Sequence, residues 1–355
     1  MDLSQLRQRI DTIDTKIVEL LNERANTSLE IGKTKIKTNK SIYAPEREAQ
    51  VLERVRSLNH GPMEQTAFEA IYREIMSSSL SLEKPLRIAY LGARGSNSHS
   101  AAVKKFGSQL DYVGCSSIAE VFQRVDQGDC DHGVVPIENS VEGAVTPTAD
   151  LLVDSDLQVC AQLFLKISYA LMSRSPLAKI KRVYSNPQVL AQCRQWLSAH
   201  LPAERVAQIA VAATTDAAVL AAKEKNAAAI TSVECASIYG VPVLKSNIQD
   251  IAHNTTRFFV IAKEDARPTG KDRTSIVFSI KDRVGVLYTM LAPFAKNGIS
   301  LTRIESRPIK KKAWDYYFFV DLQGHREDKK VQQALAKLEN MCKFMKVLGS
   351  YPEVL

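Results

Sequence analysis

Residues 3–20 read LSQLRQRIDTIDTKIVEL, and the apolar positions Leu3, Leu6, Ile10, Ile13, Ile17 and Leu20 recur in alternating steps of three and four. That spacing lays all six along one face of a helix, as in a coiled-coil seam. No Gly or Pro intervenes before Gly32, so the helix is long. A long helix with one apolar face needs something to cover it, and a second copy of the chain is the simplest cover.

Working outward, Pro45 suits the first position of a second helix, where its missing N–H costs nothing. Val51, Leu52, Val55 and Leu58 give that helix a face, and His60-Gly61-Pro62 ends it. A third helix is expected from Glu64 to Leu82, with Phe68, Ile71, Ile75 and Leu82 inward. Past Glu83-Lys84-Pro85 the pattern changes. Leu86–Leu91 reads as a buried strand, and short apolar strands such as Gly133–Ile137 and Ala227–Thr231 alternate with helical stretches up to Ala262. This is α/β character, expected with mostly parallel sheets. A polar linker, Lys263–Asp272, leads to a tail that reads strand, helix, strand, strand, helix, strand. That order is the ferredoxin-like plait, which often leaves a sheet edge open for pairing.

The chain has 355 residues and a net charge of +8; at roughly 100–200 residues per domain it holds two or three. Its basic residues are dispersed. Lys310–Lys312 is the one tight basic run and reads as a solvated hairpin turn. With no aromatic-basic platform, nucleic acid is not an expected partner. There is no run of about 18 apolar residues to cross a membrane and no signal-peptide pattern, so the cytoplasm is the expected compartment. The six cysteines form no CxxC pair, and neither they nor the six scattered histidines show zinc spacing. Reduced, mostly buried thiols and no metal site are the expectation.

The seam of the first helix continues to positions 24, 27 and 31, which are Arg24, Thr27 and Ile31. A guanidinium where an apolar residue belongs either snorkels to solvent, pairs with Glu23 or Glu48, or meets an anion. Lys35 follows after eleven residues, about three turns, and shares the face of Arg24; Arg7 lies roughly 100° off it. Leu6-Arg7, Glu23-Arg24, Gly32-Lys33-Thr34-Lys35 and Pro45-Glu46-Arg47-Glu48 resemble the AroQ-type chorismate mutases over residues 1–84. The resemblance implies an all-α, intertwined dimer. In it Arg24 and Arg47, with Arg7 from the other chain, bind two carboxylates, Ser79 helps hold the substrate, Lys35 donates to the ether oxygen, and Glu48 holds the hydroxyl. A Claisen rearrangement is unimolecular, so fixed cations that fold the substrate and stabilise the breaking C–O bond suffice. Ala44 stands where many members have aspartate, and Glu83 where some have glutamine. Glu83 can donate to the ether oxygen only when protonated, so mutase activity is expected to depend on that proton.

In the middle, the turn Gly92–His99 feeds a helix and is either an anion site or a plain connection; it is neither GxGxxG nor a P-loop. VPIENS at 135–140, followed by Gly143 and Thr148, and NTTRF at 254–258 put polar side chains at strand ends, where ligand clefts or simple caps form. Together with SNPQVLAQC at 185–193 and IQD at 248–250, these are similar to the prephenate dehydratases over residues 86–262. The resemblance implies an α/β domain of two lobes, like periplasmic solute-binding proteins: 87–163 with 247–262, and 164–246. Thr256 would assist the departing hydroxyl, Glu138 would relay a proton, and Arg257 would clamp a carboxylate. Ser96, Ser98, Asn139, Ser140, Asn186, Gln188 and Phe258 would contact substrate. Ala93 and Asn97 depart from the usual proline and aromatic residue.

In the tail, Gly285-Val286-Leu287 and Glu305-Ser306-Arg307-Pro308 resemble the α+β ACT regulatory domains over 273–350. This implies phenylalanine binding at an ACT–ACT interface with feedback inhibition; Val286 replaces a common alanine, and its bulk is expected to weaken that affinity. The whole reads as a multidomain, bifunctional enzyme of phenylalanine biosynthesis. The resemblances imply that it converts chorismate to prephenate and then to phenylpyruvate without a cofactor, as a homodimer or higher oligomer. A mutase–dehydrogenase would need a nucleotide fingerprint that 86–98 lacks. The other alternative is a non-catalytic dimeric sensor that binds a small molecule.

Overall fold

The structure is a computed structural model that describes residues 2–38, 40–280, 284–308 and 316–353. The Lys310–Lys312 run lies outside them. The chain forms two compact units, residues 1–87 with 105–111, and residues 88–104 with 112–355.

The first unit is built on α1 (Leu3–Lys37), α2 (Pro45–Leu58) and α3 (Gln65–Glu83). Asp2 starts α1 with a capping box, accepting from Gln5 N while the Gln5 side chain accepts from Asp2 N. Pro45 opens α2 as expected. Ala44, at its N-cap, offers no side-chain bond, a loss of about 0.5–2 kcal/mol against an aspartate; its carbonyl receives Arg47 N and Glu48 N instead. Gly32 sets how near α1 and α3 come: a Cβ there would meet Glu83 Cα at 2.9 Å. The apolar stripe of α1 stays uncovered, with Leu3, Ile10 and Leu20 at 65%, 56% and 63% exposure.

The second unit holds three sheets. In its first lobe, β1 (Arg87–Leu91), β2 (Asp111–Cys115), β3 (His132–Asn139), β4 (Gly143–Ala144) and β5 (Gln158–Lys166) are interleaved with α4 (Asn97–Phe106), α5 (Ile118–Asp126) and α6 (Thr146–Asp154). The second lobe has β6 (Ala170–Met172), β7 (Arg182–Ser185), β8 (Ala207–Ala210), β9 (Ala227–Thr231) and β10 (Val243–Ser246). Its helices are α7 (Pro187–Gln192), α8 (Arg194–His200), α9 (Thr214–Lys223) and α10 (Glu234–Tyr239). The chain then returns as β11 (Thr255–Ala262) and inserts between β3 and β5, giving the order β2-β1-β3-β11-β5. The second sheet runs β10-β6-β9-β7-β8.

The expectation of mostly parallel sheets is corrected. β1–β3, β7–β8 and β7–β9 are parallel, but β11 is antiparallel to both neighbours, as β6 is to both of its own. The reason is the double crossing between lobes: a strand that enters a lobe from the other one arrives against the direction of its neighbours.

The tail is β12 (Asp272–Ser279), α11 (Val286–Lys296), β13 (Leu301–Pro308), β14 (Tyr316–Gln323), α12 (Lys329–Glu339) and β15 (Phe344–Pro352). This is the expected βαββαβ order, in a sheet β13-β14-β12-β15 that leaves β13 on an edge. Strand alternation divides its core. Ile276 and Phe278 pack with Met290, Phe294 and Leu338 of the helices. On the other face Val277, Phe319, Leu348 and Tyr351 join Val135, Val159 and Phe259 of the first lobe in one cluster.

Candidate functional site

In the helical unit, the interrupted seam is filled as a guanidinium requires. Arg24, partly buried on α1, donates from Nη1 to Ser79 Oγ of α3 at 2.5 Å. About three turns further along the same face, Lys35 Nζ sits 2.8 Å from Glu83 Oε2 and donates to Ile42 O at 2.6 Å. The Glu83 side chain is only 8% exposed. Its carboxylate thus faces a cation, and for Glu83 to act as a donor this pair must open and take up a proton. Glu48 Oε2 is held by Tyr43 OH at 2.6 Å and by Lys105 Nζ at 2.8 Å. Neither Tyr43 nor Lys105 was expected here; residues 105–111 join this unit through a fold that spacing along the chain does not reveal. Arg47 is exposed, with Nη1 3.4 Å from Gln50 Oε1. Arg7 is exposed as well, and seventeen residues of helix put it roughly 25 Å from Arg24. One chain therefore gathers Arg24, Lys35, Ser79, Glu48 and Glu83 along α1–α3 but leaves Arg7 and Arg47 outside.

In the second unit the register of β3 and β11 assembles the site. Asn139 lies opposite Thr256 and Glu138 opposite Arg257. Adjacent residues of a strand face opposite sides, so one pair faces each way. Asn139 Nδ2 donates to Thr256 Oγ1 at 2.8 Å and to Asn254 Oδ1 at 2.7 Å, and Asn139 Oδ1 accepts from Val141 N and Glu142 N. Asn254 donates to Gln192 Oε1 at 3.1 Å, and Gln192 donates to Glu142 Oε1 at 2.7 Å. Ser140 pins the strand ends, accepting from Thr255 N and donating to His253 O. A cavity of about 990 Å³ opens here, lined by Asn139, Glu142, Thr146, Gln188, Gln192 and Asp250 among others.

The opposite face does something else. Arg257 is 5% exposed and donates to Gln162 at 2.9 Å, to Asp321 at 2.5 Å and to Tyr351 OH at 3.0 Å. Burial works against its charge, but Tyr351, Asp321 and Glu138 outweigh this and raise its pKa. The expected carboxylate clamp thus lies on the face opposite Thr256, with Nε, Nη1 and Nη2 each bonded to Gln162, Asp321 or Tyr351. Glu138 is on that same side, 3.2 Å from Arg303 Nε and 3.9 Å from Arg257 Nη1, so it does not reach Thr256 as a relay. Phe258 is 1% exposed and is core rather than a substrate contact.

The glycine turn is a cap before anything else. Ser96 Oγ accepts from His99 N and donates to Leu91 O. Gly92 and Gly95 adopt φ of +89° and +93°, backbone that only glycine takes up without strain. Ser98 is buried. Asn97, the departure from the usual aromatic, hydrogen-bonds Tyr169, whose phenol burial pushes up to about 12. Asn186 caps α7 by accepting from Gln188 N. Cys193, in the same motif, is pushed up to about 12 by burial first and by Asp250 second; it is no thiolate nucleophile at neutral pH. The sequence reading missed Gln192 and Asn254 as site residues although both fall in quoted motifs, and missed Asp321 and Tyr351 because nothing local ties them to Arg257.

In the tail, Gly285 (φ +74°) precedes α11, Val286 packs on the helix-side core and Leu287 is 41% exposed. On β13, Glu305 and Arg307 are sheltered while Ser306 and Pro308 are exposed. Arg307 donates to Thr146 O at 2.8 Å and pairs with Asp150 at 2.9 Å.

Residues 6–84 match the chorismate mutase type II family, 88–266 the prephenate dehydratase family and 274–340 the ACT domain. A bifunctional chorismate mutase/prephenate dehydratase from Aquifex aeolicus is 46% identical over all of this chain and 99% of its own length. Among solved structures, a prephenate dehydratase from Arthrobacter aurescens in complex with L-Phe is 31% identical over 76% of this chain and 90% of its own, with a TM-score of 0.69. GqqA, described as a novel type of quorum quenching acylase, also superimposes with a TM-score of 0.69 at 26% identity, over 76% of this chain and 98% of its own.

His99 is half-buried between the rings of Tyr90 and Tyr112, at 5.1 and 5.8 Å. Burial first, and Arg94 second, lower its pKa below 6.5 against the opposing Glu234. A depressed folded value means the fold favours the neutral ring, so His99 contributes stability above the unfolded pKa that is lost as pH falls through the folded one. NMR titration of His99 is expected to give a midpoint below 6.5; one at or above it contradicts the buried environment.

Proposed function

The chain belongs to the bifunctional chorismate mutase/prephenate dehydratases, and we propose how its own residues divide that work. It converts chorismate to prephenate and prephenate to phenylpyruvate in phenylalanine biosynthesis, with feedback inhibition by phenylalanine. The mutase is residues 1–84. The dehydratase is 86–262, with lobes 87–163 plus 247–262 and 164–246, and the sensor is 273–350. No described helix is long and apolar enough to cross a membrane, and the reactions belong in the cytoplasm.

For the mutase, Arg24 with Ser79 takes one carboxylate and Lys35 donates to the ether oxygen as the C–O bond breaks. Glu48, oriented by Tyr43 and Lys105, holds the hydroxyl. Arg47 swings in from solvent, and Arg7 comes from a second copy. Two observations stand behind the dimer: the uncovered stripe of α1, and the roughly 25 Å of helix that keep Arg7 too far from Arg24 to serve its own site. Light scattering is expected to give at least two chains per particle, and Ile13→Glu to reduce that number and remove mutase activity while sparing the dehydratase. A single-chain particle with full mutase activity contradicts the shared site.

For the dehydratase, the carrying observation is the Asn139–Thr256 hydrogen bond at the cleft. Electrons of the breaking carboxylate bond flow into the ring, carbon dioxide leaves, and the hydroxyl departs as water after taking a proton. Thr256 sits at the departing oxygen with Asn139 fixing its rotamer. Gln188 and Gln192 line the same end, Ser140 contacts substrate from the strand ends it joins, and Ser96 and Ser98 act from the glycine turn. Arg257 and Glu138 stand behind this face.

Incubation with chorismate alone, followed by product analysis across pH, tests the division. Phenylpyruvate is expected without any added cofactor, with a mutase step that slows as pH rises in this chain but not in Glu83→Gln. Chorismate consumed to prephenate only places the fault in the cleft; identical pH profiles discard the proton on Glu83.

A further inference from the structure

Outside the two reaction sites, a connected charge cluster lies where β13 meets the end of β3. Arg303, Glu305 and Arg307 alternate along the sheltered face of β13. Arg303, whose side chain is 10% exposed, pairs through Nη2 with Glu305 and through Nε with Glu138 at 3.2 Å. Glu138 continues to Arg257 at 3.9 Å, and Arg257 to Asp321 at 2.5 Å. Asp321 is the cross-strand partner of Arg303 and accepts from Ser275 Oγ at 2.6 Å. Three carboxylates, those of Glu305, Glu138 and Asp321, thus share two guanidiniums.

The cluster has a direction. Glu305 belongs to the Glu305–Pro308 motif at the effector end. Glu138 and Arg257 are chain neighbours of Asn139 and Thr256, whose hydrogen bond forms the dehydratase site. Arg303 is the only described side chain that touches a carboxylate at each end. The surplus of carboxylate also marks a place for one more cation, and an amino acid carries one in its ammonium group.

We propose that Arg303 is a positioning residue through which phenylalanine acts on the dehydratase: the effector's ammonium takes Glu305, and Arg303 shifts its guanidinium wholly onto Glu138. A cation placed beside Glu305 repels Arg303 and removes one of its two partners, while Glu138 remains within hydrogen-bond reach. The pull falls on the last turn of pleat in β3, next to Asn139, and disturbs the Asn139–Thr256 alignment. The effector then binds the misaligned arrangement better than the aligned one, which is what inhibition requires. This rests on the reading that the tail binds phenylalanine.

The test uses the full chain and Arg303→Gln, with Arg303→Lys as the conservative control. Phenylalanine binding is followed by calorimetry, and prephenate turnover is measured with and without saturating phenylalanine. Arg303→Gln is expected to bind phenylalanine, to keep kcat and KM in its absence, and to lose inhibition by about tenfold or more, within the usual range of allosteric coupling. Arg303→Lys, with charge but no fork, is expected to be inhibited to an intermediate degree. A purely structural role would instead lower unliganded turnover in both variants. Arg303→Gln that binds phenylalanine and is inhibited as fully as the unaltered chain overturns the proposal. So does loss of phenylalanine binding in that variant alone, because Arg303 is then part of the effector site. Absence of phenylalanine binding in the unaltered chain would instead sink the effector reading, and the relay with it.

Discussion

The antiparallel register of β3 and β11 is the constraint on which the larger unit depends. By setting Asn139 against Thr256 and Glu138 against Arg257, it gives one sheet edge two different faces. The first is polar and open to the cleft, where an amide holds a hydroxyl. On the second a guanidinium 5% exposed is satisfied by Gln162, Asp321 and Tyr351. Moving such an ion out of water costs several kcal/mol, and only a nearly complete set of partners offsets it. Removing Asp321 alone would leave the charge stranded, at a cost of about 3–5 kcal/mol. The sensor sheet is therefore built into the stability of the reaction strand, and the shared core of Val277, Phe319 and Tyr351 with Phe259 reinforces the connection.

The helical unit works on a different principle. Its site is made from cations and hydroxyls on faces that α1 and α3 turn toward each other, brought close by Gly32. No sheet fixes it; its carboxylates are held by single cations, Lys35 on Glu83 and Lys105 on Glu48. What it lacks is cover for the α1 stripe, and the same helix that exposes this stripe carries Arg7 out of reach of its own Arg24. One cause, the unbroken length of α1, accounts for both. A reaction that needs only to fold its substrate and stabilise one breaking bond can be served by such a site.

Much of this was legible in the sequence. The three-four spacing of Leu3 to Leu20, Pro45 at a helix start and the βαββαβ order of the tail rest on local periodicity and turn chemistry, and the elements formed where these pointed. Arg24 in the seam was legible because an apolar position held a charge. The misreadings share a cause. Thr256 and Arg257 are adjacent in the chain, and a motif read as a string assigns both to one site, whereas a strand sends them to opposite faces. Parallel sheets were expected because strand and helix alternate, but the return crossing that reverses β11 leaves no local mark. Lys105 beside Glu48, Asp321 on Arg257 and Arg303 on Glu138 join residues 57, 64 and 165 positions apart, and no short-range pattern carries such pairings.

The central claim is that Asn139 and Thr256 act as one unit in the second reaction. A double-mutant cycle on kcat/KM for prephenate, with Asn139→Ala, Thr256→Val and the pair, tests it most directly. The account predicts strong non-additivity, the double variant being little worse than the poorer single one. Losses that simply add would show that the two side chains act independently, and would contradict the site as built here.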